Sequence, residues 1–250
     1  MDPAFADFPG QHATPLFVCK GIRHLALDGV DPASIVGWDR LSIQLTSLVC
    51  THISMADITD LFVGLVQRDA HVESLPAAAW HALQYACLAH NELTFVPSSM
   101  TTILPSLRYL DVSHNLLNAV PPALECLDKL QALNVSGNMI DSVLGIYLSL
   151  PHIRVLNLGG NRLESLCGVE RLHTLEQIDL RANIIQDPGE VGRLATLPQI
   201  SHVWIHSNPL LDTHPDARVA CFYFFALEHK HVVLDDVPCG FFERRRVSSM

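Results

Sequence analysis

Leu107-Arg108-Tyr109-Leu110-Asp111-Val112-Ser113-His114-Asn115 is answered by Leu130-Gln131-Ala132-Leu133-Asn134-Val135-Ser136-Gly137-Asn138, and again by Ile153-Arg154-Val155-Leu156-Asn157-Leu158-Gly159-Gly160-Asn161. The shared pattern is L-x-x-L-x-L-x-x-N. It starts at Leu83, Leu107, Leu130, Ile153, Leu175 and Ile200, in steps of 24, 23, 23, 22 and 25 residues. Two weaker copies, from Ile22 and Leu45, keep the apolar places but lack the Asn, and they stand 23 residues apart. The 38-residue gap between Leu45 and Leu83 implies an insertion over 51–82, whose Ala56–Val66 stretch reads as a helix. Apolar residues at the first, fourth and sixth places point into a shared core, and their neighbours point to the other face, because strand side chains alternate. Such units cannot bury their apolar faces alone and stand only by stacking.

The pattern and its period resemble the leucine-rich repeat. That resemblance implies an α/β fold: a solenoid with a curved parallel sheet on the concave face, helices and 3-10 turns on the convex face, and a C-terminal cap. About eight repeats fill a single domain over 21–247, preceded by an extended arm over 1–20 that holds Pro3, Pro9, Pro15, Phe5, Phe8 and Phe17. Asn91, Asn115, Asn138, Asn161, Asn183 and Asn208 fall where each strand turns. An amide donates and accepts at once, so the row is expected to satisfy buried turn backbone rather than to serve catalysis. Asn134-Val135-Ser136 is formally a glycosylation sequon, but it lies in a predicted strand.

The cap is expected over 209–247. Cys221-Phe222-Tyr223-Phe224-Phe225-Ala226-Leu227 reads as an aromatic helix, followed by Val232-Val233-Leu234-Asp235 and the polar close Glu243-Arg244. This resembles the cap of the SDS22-like subclass, with Phe222, Phe225 and Leu234 as plugs. A closer resemblance rests on Gln44-Leu45-Thr46-Ser47-Leu48-Val49-Cys50, the insertion after it, and Asn208-Pro209-Leu210-Leu211-Asp212-Thr213-His214-Pro215-Asp216-Ala217-Arg218. These are similar to the N-terminal repeat domain of the serine/threonine kinase 11-interacting protein family. That similarity, over about residues 20–240, implies the front part of a larger scaffold linked to kinase binding and to endosomal or lysosomal membranes.

Composition narrows the function classes. The chain has 250 residues, 49% of them apolar, ample for a core, and a formal charge of −10 that opposes nucleic-acid binding. No apolar run is long enough to span a membrane, and the N-terminus does not read as a signal peptide. The seven cysteines include no C-x-x-C pair, which favours reduced thiols and a cytoplasmic setting. Cys50 is expected in the core, and Cys87 on the exposed inner face. Arg244-Arg245-Arg246 reads as a solvated tail that reaches a membrane only weakly. Glu228-His229-Lys230-His231 lacks a third metal ligand, and there is no phosphate loop, nucleophile elbow or zinc helix. No cofactor, metal or catalytic residue is expected.

Binding is therefore expected on the outward positions of the concave sheet: Tyr85 and His90; Tyr109, Asp111 and His114; Asn134; Asn157; Asp179 and Arg181; and His202, Trp204 and His206. Trp204 replaces the usual small polar residue. It is either an interface anchor or a residue covered by the cap. Ala132, Gly137, Gly159 and Gly160 leave a smooth floor between the aromatic ends. The expected role is a non-catalytic scaffold or adaptor domain that binds a protein of kinase, phosphatase or small-GTPase class. The alternatives are an SDS22-like phosphatase regulator, an enzyme with a concave-face site, and a passive spacer.

Overall fold

The computed structural model describes residues 14–16, 20–53 and 58–250. Its strands are β1 (Thr14–Pro15), β2 (His24–Asp28), β3 (Ile35–Val36), β4 (Ser47–Thr51), β5 (Tyr85–Cys87), β6 (Tyr109–Asp111), β7 (Ala132–Asn134), β8 (Val155–Asn157), β9 (Gln177–Asp179), β10 (His202–Trp204), β11 (Val233–Leu234) and β12 (Val237–Pro238). Ten of them form one sheet in the order β2-β4-β5-β6-β7-β8-β9-β10-β11-β12. Every pairing in it is parallel except the closing β11–β12 hairpin. The repeat thus sets one short strand per unit, as expected, and the two weak copies supply β2 and β4. Most of the expected arm, Phe5, Phe8 and Phe17 included, lies outside the described residues. β1 pairs with β3 away from the main sheet.

The fourth- and sixth-place residues Leu110, Val112, Leu133, Val135, Leu156, Leu158, Ile178 and Leu180 are buried together in the core. Behind the sheet run short helices: α1 (Trp38–Gln44), α2 (Leu65–Ala70), α3 (Ser98–Thr102), α4 (Ile146–Ser149), α5 (Pro188–Gly192) and α6 (Pro209–Thr213), with 3-10 turns between them. The eighth place of each unit turns the chain left-handed: φ is 54° at His52, 56° at His90, 52° at His114, 64° at Gly137 and Gly160, 52° at Ala182 and 60° at Ser207.

The ninth-place asparagines link the units, as expected. Asn138 Nδ2 donates to the carbonyls of Val135 and Ser136 in its own unit and of Val112 in the unit before. Its Oδ1 accepts from Leu117 N–H at 3.0 Å. Asn91, Asn115, Asn161 and Asn183 repeat the scheme, and Asn208 ends it with bonds to Leu180 and Ile205 carbonyls. All six side chains are buried, and each meets backbone that would otherwise be orphaned.

The insertion folds into the core rather than away from it. A π-helical turn over Asp60–Gly64 leads into α2, so the helix expected to end at Val66 reaches Ala70. Trp80 lies edge-on to Phe62 at 4.9 Å and donates its indole N–H to the Phe62 carbonyl. Trp38 lies 6.2 Å from Trp80 and donates to the Pro32 carbonyl. Both tryptophans are fully buried. Asp69 accepts from Gly37 and Trp38 N–H at the start of α1 and pairs with Arg68. Burial works against its charge, but Arg68 and the two amides outweigh this and hold its pKa below the ordinary value.

The cap comprises α7 (Ala217–Leu227), the β11–β12 hairpin and α8 (Phe241–Val247). Phe222, Phe225 and Leu234 are buried plugs, as expected. Arg218 gathers the cap: it donates to Glu243 at 2.9 Å and to the Leu234 and Val237 carbonyls. The three arginines are exposed to solvent, as expected, but on a helix. They lie in the last turns of α8, where Arg246 pairs with Asp216.

Candidate functional site

Parallel register lines the outward residues into rows across the open face of the sheet. The third-place row runs Ser47, Tyr85, Tyr109, Ala132, Val155, Gln177, His202, and the fifth-place row runs Val49, Cys87, Asp111, Asn134, Asn157, Asp179, Trp204. Every residue expected at the site except Asp179 keeps a half-buried or exposed position on this face.

The N-terminal half is aromatic. Tyr85 and Tyr109 stack with ring centroids 4.6 Å apart and planes 4° apart. Beside them His90 and His114 stack at 4.3 Å, and His52 extends the column at 4.9 Å from His90. His52 Nδ1 meets Asp28 at 2.8 Å. Neither His52 nor Asp28 belongs to the expected site, yet the signal was available. His52, His90 and His114 all occupy the eighth place of successive units, and the insertion hides that spacing. Side chains at equal places on adjacent strands sit one strand spacing apart, which suits ring stacking. Burial, reinforced by the Asp111 carboxylate, pushes the Tyr109 hydroxyl well above its usual pKa. Tyr85 shifts the same way, again chiefly through burial.

The middle is polar and shallow. Asp111 accepts from Ser113 N–H and from Asn134 Nδ2, both at 2.9 Å. Asn134 Oδ1 accepts from the Ser136 amide and hydroxyl, which occupies the sequon's own groups locally. Asn157 Oδ1 accepts from Gly159 N–H. Val155 stands 38% exposed next to Ala132, an apolar surface that the fold itself leaves open. Asp179 is buried rather than presented outward, because Arg181 Nε lies 2.9 Å from both of its oxygens. A shallow pocket of 240 Å³ opens between His114, Gly159, Gly160 and this pair.

At the C-terminal end the cap reaches the sheet. Trp204 donates its indole N–H to Asp236 at 2.9 Å and remains half-buried. The cap therefore tethers this ring without covering it, an outcome between the two expected. Asp235 accepts from the amides of Ile205 and His206 and meets His206 Nδ1 at 2.9 Å. Asp235 and Asp236 both have positive φ, 49° and 62°, in the two-residue loop of the hairpin, the conformation a tight hairpin turn needs.

Cys87 corrects an expectation. It is buried, not exposed, and burial first, then the Asp111 charge, raises its thiol pKa. The thiolate is the reactive form, so this geometry makes Cys87 a poor nucleophile. Cys50 is a core residue, as expected. Among the described residues no group of histidine, cysteine and carboxylate side chains is arranged to hold a metal ion. No helix of the described residues is long and apolar enough to cross a membrane.

Comparison with known proteins agrees with this architecture. A family model for the leucine rich repeat matches residues 83–140. An uncharacterized leucine-rich repeat-containing protein of Schizosaccharomyces pombe is 26% identical across 98% of this chain and 54% of its own length. Serine/threonine-protein kinase 11-interacting protein of Homo sapiens is 32% identical across 82% of this chain, and that of Gallus gallus is 30% identical across 80%. The chain spans about half the length of the yeast relative and 18% of each kinase-interacting protein. Among solved structures, internalin C2 of Listeria monocytogenes aligns with a TM-score of 0.54 at 23% identity, over 78% of this chain and 76% of that one. A Leptospira interrogans leucine-rich repeat protein aligns with a TM-score of 0.51 at 21% identity, over 82% of this chain and 49% of that one. At those identities the two structures bear on the fold alone.

Proposed function

The chain is a leucine-rich repeat protein that resembles the serine/threonine-protein kinase 11-interacting proteins, and on that premise we propose that it is a non-catalytic interaction domain binding a partner protein on its concave face. The observation that carries this reading is the open row Tyr85, Tyr109, Ala132, Val155, with a stacked aromatic pair and an exposed valine on one face. Half-buried aromatics beside apolar floor are the material of interface anchors. Fold alone does not fix function, so the reading rests on this surface. The named partner of the human and chicken relatives supports a kinase as the client and a scaffold as the role. Phosphatase and small-GTPase clients would use the same face. The domain acts in the cytoplasm and reaches endosomal or lysosomal membranes through its partners.

The test is affinity capture from cell lysate with quantitative mass spectrometry, comparing the wild-type chain with Tyr109→Ala and Trp204→Ala together. A client lost only from the doubly substituted, still folded chain places binding on the concave face. Unchanged capture moves binding to the convex side or to α8 and rejects the concave-face reading.

A further inference from the structure

We propose that the concave face takes up an arginine side chain of the partner, stacked on the free face of Tyr109 and paired with Asp111. This rests on the concave-face reading above and gives it a chemistry.

The Tyr85–Tyr109 stack runs along the row of strands, one ring per strand, with its planes nearly parallel. The next place in the row after Tyr109 is Ala132, whose methyl cannot reach up to cover a ring. One face of Tyr109 is therefore left open at the height where a third planar group would continue the stack. The other end of the stack faces Ser47, but the fifth-place residues there are Val49 and Cys87, with no charge to offer. Only the Tyr109 end has a carboxylate alongside.

That carboxylate is uncompensated. Asp111 holds two neutral donors, Ser113 N–H and Asn134 Nδ2, and the Tyr109 hydroxyl stands 3.5 Å away. Among the described residues no lysine, arginine or histidine pairs with it. Asp179, three strands farther along the same row, shows the contrast, since Arg181 neutralises it. The concave face thus has a negative excess at Asp111 and, at its C-terminal end, Asp236, with its one described arginine already engaged. Charge complementarity calls for a cation.

Of the two basic side chains, the geometry selects arginine. Its planar guanidinium stacks on an aromatic face while its edge donates to a carboxylate, which a lysine ammonium cannot do. The molecule uses the stacking half of this arrangement elsewhere: Arg171 lies 4.2 Å over the Tyr147 ring and Arg218 lies 5.1 Å over Phe222.

The experiment selects a phage-displayed random peptide library on the immobilised 250-residue chain, then measures the selected peptides by fluorescence polarisation. The expected peptides share an arginine, and replacing it by lysine or by neutral citrulline weakens binding. Asp111→Asn keeps the oxygen that Ser113 requires and should raise Kd about tenfold or more, the scale of one lost charge-assisted hydrogen bond. Tyr109→Leu should act in the same direction, and Trp204→Ala should leave the arginine dependence intact. Peptides that lack an arginine or ignore Asp111→Asn, yet respond to Tyr109→Leu or Trp204→Ala, overturn the arginine site and leave the concave-face reading standing. Selections indifferent to all three substitutions overturn both, as does a library that yields no binder.

Discussion

Asn138 reaches back across a unit boundary and donates its side-chain amide to the carbonyl of Val112 at 3.1 Å. The same amide serves its own turn at Val135, and its oxygen accepts from Leu117. One side chain thus ties adjacent units. Asn138→Leu would leave the buried Leu117 N–H without its acceptor, while the Val112, Val135 and Ser136 carbonyls keep Asn115, Asn161 and the His114 amide as donors, at a cost of about 1–3 kcal/mol. Urea unfolding followed by circular dichroism should show the midpoint fall accordingly. A loss under about 0.5 kcal/mol, the scale of a neutral surface change, would mean water replaces the amide.

The eighth place sets two substitutions of opposite sign. Gly137 has φ of 64°, and a Cβ there would lie 2.5 Å from His114 Nδ1. Gly137→Ala should destabilise by about 1–3 kcal/mol through strain and displacement of the histidine column. Ala182 holds the same left-handed turn at φ of 52°, so Ala182→Gly should be neutral or stabilising by up to about 1 kcal/mol, the relieved strain being offset by greater unfolded-chain freedom. Differential scanning calorimetry on both variants decides it, and equal effects would sink the argument.

Asp69 gives an acid-limb prediction. Its folded pKa is depressed below the unfolded value, so the stability it contributes is full above the unfolded pKa and is lost as pH falls through the folded one. The loss therefore begins near about pH 4 and deepens below it. Chemical denaturation at a series of pH values should show a shallower acid decline for Asp69→Asn than for the wild type. Parallel curves would show that Asp69 is not held below its ordinary pKa.

Thiol reactivity should divide by burial. Cys126 and Cys167 are exposed, while Cys50 and Cys221 are buried and their thiols are pushed up to about 12. With iodoacetamide near neutral pH, peptide mass spectrometry should find Cys126 and Cys167 modified first. Cys87 should lag behind them, and Cys50 and Cys221 should react only after denaturant is added. Early modification of Cys87 would contradict its burial.

Trp204 reports on the cap. Trp38 and Trp80 are fully buried, whereas Trp204 is half-buried and tethered to Asp236. Acrylamide should quench one class of tryptophan in the native chain, and Asp236→Ala should increase that quenching without altering the shielded class. An unchanged quenching constant would show that the hydrogen bond does not position the ring.

Much of this was legible beforehand because the repeat is one-dimensional. Once the period is known, residues at equal places must fall in rows, and Tyr85, Tyr109, Asp111, Asn134 and Asn157 could be assigned to the open face by counting. Counting fails where the sequence departs from the period or where a neighbour changes a side chain's surroundings. The insertion hid His52 from the column it completes. Asp179 was counted outward, but Arg181 two residues on folds over it. Cys87 sits at an outward place and is nevertheless buried, in the same row as Asp111 and beside the tyrosine stack.

What the sequence determined by itself is the backbone plan: strand spacing, parallel register, the buried asparagine ladder and the aromatic plugs of the cap. These follow from local periodicity and from the requirement that each apolar stripe be covered by the next unit. What only the tertiary structure decided is the state of the surface, namely that the cap tethers Trp204 through Asp236, that Tyr85 and Tyr109 stack face to face, and that among the described residues Asp111 pairs with no cation while Asp179 pairs with Arg181. Those outcomes depend on contacts between side chains far apart in the chain or on their chosen rotamers, and periodicity does not encode them.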